Sequence, residues 1–200
     1  MAISISEVTR RADLFFMEKS PIHEAMHRLH RTLTEMNIHY AVAGAMAANA
    51  HGHKRTTADV DILIRADDLR RFKEKWIGRG WVNKFEGSKN FRDAVNQVDI
   101  DAILSGGFPG DGLEKPVCFP DPEVASKTHD DGITYITLPT LINLKIASGM
   151  TTSHRLQDLA DIIELIRVNR LDAEYSDQLN EFVREKYLEL LAASRIDDDY

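Results

Sequence analysis

Two short runs put carboxylates where apolar strands would otherwise continue: Asp59 and Asp61 in DVDILI, and Asp99 and Asp101 in VDIDAIL. In an extended strand, residues i and i+2 project to the same side with α-carbons about 6.6–6.8 Å apart. At side-chain separations near 4 Å two such charges repel by roughly 1–4 kcal/mol, depending on the effective dielectric. A solvated face would relieve that cost for either pair alone. Both pairs, however, interrupt runs that read as interior strands, where burial without a counter-charge pushes a carboxyl towards its neutral form. A hard divalent cation removes both penalties. Oxygen ligands on adjacent strands suit Mg2+ (or Mn2+), which keeps waters and shares substrate phosphates. Upstream, the apolar run HYAVAG stops at Gly44 and is followed by AMAANAHG, whose alanines favour helix and whose Gly52 can end it. A strand, turn and helix of this kind offers unbonded backbone N–H groups to a phosphate, and Gly44 permits close approach. The constellation suits phosphoryl-group chemistry.

The elements that must hold these residues follow from periodicity. Residues 22–37 place Ile22, Met26, Leu29, Leu33 and Met36 at spacings of three and four, an amphipathic helix opened by Ser20 and Pro21 that should pack on a sheet. Residues 58–65 alternate, with Asp59, Asp61 and Leu63 on one face and Val60, Ile62 and Ile64 on the other. DDLRRFKEKWIGRG reads as a helix closed near Gly78 to Gly80, WVNKFEG and FRDAV as strands, and NQVDIDAIL as the second acid-bearing strand. From Ser105 to Gly132 the chain is turn-rich, an ordered excursion or a mobile loop. GITYITL is a last short strand, and Pro139 opens a helix at its favoured first position. RLQDLADIIELIRVN then places Leu156, Leu159, Ile163 and Ile166 on one face, and SDQLNEFVREKYLELLAA repeats the pattern with Leu179, Phe182, Val183 and Leu190. The expected fold is α/β (α+β), a small mixed sheet flanked by helices. The core spans 22–137, a C-terminal helical lobe of 138–200 packs on it, and residues 1–21 form an N-terminal helical extension.

Composition narrows the function classes. A 200-residue chain with 43% apolar and 28% charged residues and a net charge of −7 is globular rather than disordered, fibrous or low-complexity. No run approaches the roughly 20 apolar residues that span a bilayer, and the N-terminus lacks the apolar stretch of a secretory signal. We expect no membrane contact and a cytoplasmic location. The single Cys118 makes no internal disulfide and reads as a small buried or half-buried hydrophobe. A pI near 5.6 argues against non-specific duplex binding, though a local basic patch would escape the count.

The pattern YAVAGAMAANAHGHKRTTADVDILI with the later VDIDAIL resembles the nucleotidyltransferase superfamily with the polymerase-beta type fold. LINLKIASG and RLQDLADIIELI further resemble the helical extension of bacterial single-domain members, among them toxin-like transferases of abortive-infection systems. The resemblance implies an Mg2+-dependent transfer of NMP from an NTP, such as ATP, to a hydroxyl of a protein, RNA or small molecule. By position, Gly44 takes the place of the first glycine of the phosphate turn, Asp59 and Asp61 the metal pair, and Asp101 the third acid, with Asp99 as the alternative. The family's Gly or Ser is Ala45 here, which cannot donate a hydroxyl to phosphate. Lys54, Arg55 and Thr57 precede the acid strand, where the two cations would meet the leaving pyrophosphate. Lys145, unusual inside the apolar LINLKIAS, matches a helical lysine of related sequences and would contact nucleotide, as would Arg155 from across the cleft. The alternative is a degenerate relative, weakened at Ala45, that acts as a non-catalytic binding or antitoxin-type partner; a metal-dependent hydrolase is a third reading.

Other features have plainer explanations. His23, His27 and His30 share a helix face but lack accompanying carboxylate or cysteine ligands, so an ordinary polar face is expected. His51 and His53 flank Gly52 as turn residues beside the phosphate turn. GGFPGDG is a turn or lid rather than a dinucleotide fingerprint, since no helical pattern follows it. Arg155, Asp158 and Asp161 read as an exposed or intramolecular ion-pair set. IDDDY reads as a frayed acidic tail.

Overall fold

A computed structural model describes residues 5–17 and 20–195; the acidic tail and the first residues of the N-terminal extension lie outside that range. Seven strands form one mixed sheet in the order β3-β4-β5-β2-β1-β7-β6. The two acid-bearing strands, β2 (Asp59–Ile64) and β5 (Val98–Leu104), lie side by side and parallel near its middle. β1 (Tyr40–Val42) runs antiparallel to β2 and parallel to β7 (Thr134–Ile136). On the far side of β5, β4 (Phe91–Asp93) and the edge strand β3 (Trp81–Asn83) continue the sheet antiparallel. These are the two segments expected to be strands after the helix that Gly78 and Gly80 close. β6 (Ser126–Thr128), within the turn-rich stretch, pairs antiparallel with β7. It is three residues long and mostly exposed, too short and polar to show a strand pattern.

Helix α1 (Ile5–Phe16) precedes α2 (Pro21–Thr34), which buries Ile22, Met26, Leu29 and Leu33 against the sheet, as its spacing predicts. α4 (Ala66–Trp76) buries Leu69 and Phe72. Phe72 joins Trp81 and Phe91 in an aromatic cluster with ring centroids 4.8–5.7 Å apart. The Arg28 guanidinium of α2 lies over the Trp81 ring at 4.5 Å and bonds to the fully buried Asp93 carboxylate. Asp93 also accepts from the Val95 backbone N–H and the Asn96 amide, so the buried charge is paired and hydrogen-bonded. These contacts fasten β3 and β4 to the rest of the sheet, and with them the segment that follows β3 and lines one side of the site.

The chain after β7 is helical: α5 (Leu138–Thr151), α6 (Leu156–Asn169), a 3-10 turn (Glu174–Gln178) and α7 (Glu181–Ser194), packed on one another, with α5 against α3 (Gly44–Ala50). Of the expected inward face of α6, Leu159 and Ile163 pack on the core and Ile166 is buried; Leu156 departs from it. Leu156 is 68% exposed, whereas Asp161, Ile162, Leu165 and Ile166 are buried. The buried face is wider than the apolar pattern because it includes a charge, Asp161, with partners on other elements. Cys118 is exposed, not buried, on the irregular segment before β6. Among the described residues no helix is long and apolar enough to cross a membrane.

Candidate active site

The parallel register of β2 and β5 pairs Asp59 with Asp99 and Asp61 with Asp101. Neighbouring strands stand about 4.8 Å apart, so one step along the ladder decides which acids share an environment. Asp99 is taken up by Arg92 and Lys84, each at 3.1 Å, and does not line the central cavity. Asp101 does, together with Asp59 and Asp61. One Asp101 carboxylate oxygen, Oδ1, is buried without a hydrogen-bond partner, with Lys84 Nζ 3.7 Å away. Burial, then the charges of Asp59 and Asp101, push Asp61 up to about 6. Thr57 fixes Asp59 by donating its hydroxyl to Oδ1 at 2.6 Å.

Gly44 meets these acids through the β1 to α3 turn. The Ala43 N–H donates to the Asp61 carbonyl at 2.9 Å, carrying the β1–β2 pairing to the start of the helix. Gly44 has φ +57°, and a Cβ built on it would lie 1.9 Å from Asp61 Oδ2. Two independent constraints therefore require glycine: left-handed backbone and no room beside the acid. The first turn of α3 has no side-chain cap, and Ala45, 7% exposed, sits behind Gly44 in the cavity wall. Gly44→Ala is expected to cost about 1–2 kcal/mol from backbone conformation alone and to displace the Asp61 carboxylate as well. Urea unfolding would measure the first effect; an unchanged midpoint would contradict the geometry.

The cavity, about 650 Å³, lies between this strand and turn unit and the C-terminal helices. Lys145 of α5 is buried and bonds Asp158 at 2.8 Å and Asp161 at 2.7 Å. Arg55 donates through Nη1 to both Asp161 oxygens, at 2.8 and 2.9 Å. His53 Nε2 is 3.2 Å from the same carboxylate, and Gln157 donates to it at 3.0 Å. Asp161 is fully buried. Burial alone would raise its pKa, but the charge and hydrogen bond of Lys145, with Gln157 and Arg55, outweigh that and hold it down at about 2. Arg155 lines the cavity more openly, 3.9 Å from Asp158.

Of the residues singled out in the sequence, Gly44, Ala45, Arg55, Thr57, Asp59, Asp61, Asp101, Lys145 and Arg155 line one cavity. Lys54 and Asp99 do not: Lys54 is exposed outside it, and Asp99 is held by its own cations. The two turn histidines are occupied by the fold, His51 facing the Ile136 carbonyl at 2.8 Å and His53 Asp161. His23 and His30 face Ser20 and Tyr40 rather than each other. The sequence reading missed Lys89, Asn90, Phe108, Phe119 and Ser148, which also line the cavity. They come from irregular segments or single polar positions and leave no periodic trace. Among the described residues no three His, Cys, Asp or Glu side chains are gathered tightly enough to form a ready-made metal cage.

No protein-family model matches the chain, and no curated protein matches it by sequence. Among solved structures the fold is similar to that in the crystal structure of ANT(2″)-Ia in complex with adenylyl-2″-tobramycin. The TM-score is 0.53 at 10% identity, over 88% of this chain and 97% of that one. At this identity the likeness is one of fold: a mixed sheet flanked by helices.

Proposed function

We propose that this chain is a divalent-cation-dependent nucleotidyltransferase that moves NMP from an NTP to an acceptor hydroxyl. The observation that carries the reading is the meeting of Asp59, Asp61 and Asp101 with Gly44, Lys145 and Arg155 in one cavity. The donor set fits a cation: three carboxylates, one raised to about 6 by burial and its neighbours, another with a buried oxygen that accepts no hydrogen bond. Mg2+ is typically held by one or two carboxylates plus substrate phosphates, so a cage complete without substrate is not required. The neighbouring structure holds an adenylyl group joined to an acceptor, which makes ATP the first nucleotide to test.

In this reading the acceptor oxygen attacks the α-phosphorus, the bond to the bridging oxygen breaks, and pyrophosphate leaves. Asp59 and Asp61 hold Mg2+, which supplies charge neutralisation at the phosphates when bound. Asp101 takes the hydroxyl proton. Gly44 allows the turn to approach the triphosphate, while Lys145 and Arg155 face it from the helices. The protein chiefly positions reactants and balances charge.

Calorimetric titration of each NTP with Mg2+ into wild type and the Asp59→Ala/Asp61→Ala variant tests this. Mg2+-dependent binding in wild type, reduced at least about a hundredfold in the variant, is the expected result, since two ligands to one charge cluster are lost. Equal binding by both proteins, or none by wild type, would overturn the proposal.

A further inference from the structure

The sheet order gives the cavity two unlike flanks. On one side of the β2 acids lie the β1 to α3 turn and helix α5, with Gly44, Lys145 and Ser148; on the other lie β5 and the segment leading into β4, with Asp101, Asn90 and Lys89. In the nucleotidyl-transfer reading, on which this inference rests, the triphosphate occupies the first flank and the acceptor approaches over the second.

Beside Asp101, the second flank carries two donors, the Asn90 amide and the Lys89 ammonium. Asn90 Oδ1 accepts the Ala102 backbone N–H at 3.0 Å, one position beyond Asp101. Because that N–H can only donate, the orientation of the carboxamide is fixed. Its amide hydrogens have no partner among the described residues, and neither does the Lys89 ammonium, which is exposed and lines the cavity. No carboxylate is left over beside them. Asp59, Asp61 and Asp101 form the cation set; Asp158 is engaged by Lys145 and Ser148, both at 2.8 Å; and Asp99 is held outside by Arg92 and Lys84. An ammonium-bearing acceptor would find no free counter-charge here, while an oxyanion would find one ammonium and one amide.

We propose that Lys89 and Asn90 form the acceptor subsite and that the acceptor is a hydroxyl compound carrying an oxyanion, phosphate or carboxylate, near its attacking oxygen. Lys89 sets the charge preference and Asn90 the placement.

Four pyranoses of differing charge test this: glucose 6-phosphate, glucuronate, glucose and glucosamine, each titrated into the protein loaded with Mg2+ and a non-hydrolysable analogue of the NTP it binds. The two anions are expected to bind at least about tenfold more tightly than glucosamine, and Lys89→Glu to shrink that ratio by about tenfold, as reversal of one partly solvated charge should. The stronger of the two anions tells phosphate from carboxylate. Lys89 is exposed, so the variant keeps its fold, and an unchanged urea-unfolding midpoint verifies this. A flat series, including one in which no sugar binds, or a series led by glucosamine, overturns the inference. Failure of the underlying reading shows earlier and separately, as absence of Mg2+-dependent nucleotide binding before any sugar is added.

Discussion

Asp161→Ala is expected to destabilise the protein by about 3–5 kcal/mol, because it leaves the buried Lys145 with Asp158 alone and takes the carboxylate from Arg55, rather than merely deleting a bond. The Asp161 carboxylate is fully buried and receives Lys145, Arg55 and Gln157, with His53 in contact. Lys145 itself is only 8% exposed, so water cannot take over from the lost charge. The pH dependence follows from the low pKa. The folded-state value, about 2, is below the ordinary carboxylate value of 3.8, so the unfolded chain binds a proton first as acid is added. The stabilisation is therefore complete above about pH 4 to 5 and is lost as pH falls through 2. Urea unfolding at pH 7.5 should show the full loss, and the gap between wild type and Asp161→Asn should narrow between pH 4 and pH 2. A loss below about 1 kcal/mol at pH 7.5 would mean that the network is solvated in solution, and its assignment as a buried ion cluster would fall. Removing the charges together, with Asp161→Leu in a Lys145→Met/Arg55→Met background, should return part of the stability, since the fully buried carboxylate and its cations then leave together while Asp158 keeps Ser148 and Arg155.

That network also marks how far the sequence could be read. Strand alternation around Asp59 and Asp61, the stop at Gly44 and the spacing of α2 each follow from local chemistry, and each element forms where expected. Pairing register is different in kind. Asp99 and Asp101 are equivalent within their own strand, and only the ladder between β2 and β5, with Arg92 and Lys84 beside Asp99, separates them. In the same way Arg155, Asp158 and Asp161 read from the sequence as an exposed or intramolecular ion-pair set; the pairs are intramolecular, and α6 turns Asp161 fully inward while Arg155 stays exposed. The partners of Asp161 are 16 residues away at Lys145 and 106 away at Arg55, beyond any periodic pattern. Lys89 and Asn90 reach the cavity because the aromatic cluster and the Arg28–Asp93 pair anchor the strands on either side of them.

The same folding that assembles the carboxylates makes them unfavourable without a cation, so Asp61→Asn should stabilise the metal-free protein while removing its nucleotide binding. Burial, Asp59 and Asp101 raise the Asp61 pKa from 3.8 to about 6. Between those values the folded state keeps a proton that the unfolded chain has released. Stability contributed by this group is thus highest below about pH 4, falls as pH rises through 6, and stays low above it. A rise of this size is worth about 3 kcal/mol at most. Urea unfolding in EDTA should find the Asp61→Asn protein more stable than wild type by about 1–3 kcal/mol at pH 7.5, with the difference closing towards pH 4. Adding Mg2+ and NTP should stabilise wild type by mass action and leave the variant unmoved. A variant less stable than wild type in EDTA at pH 7.5 would show that Asp61 is retained for structure, and would take from the cation its physical reason for being there. A variant that is more stable but inert would identify the strain at Asp61 as the cost of a site that is completed only when cation and substrate bind.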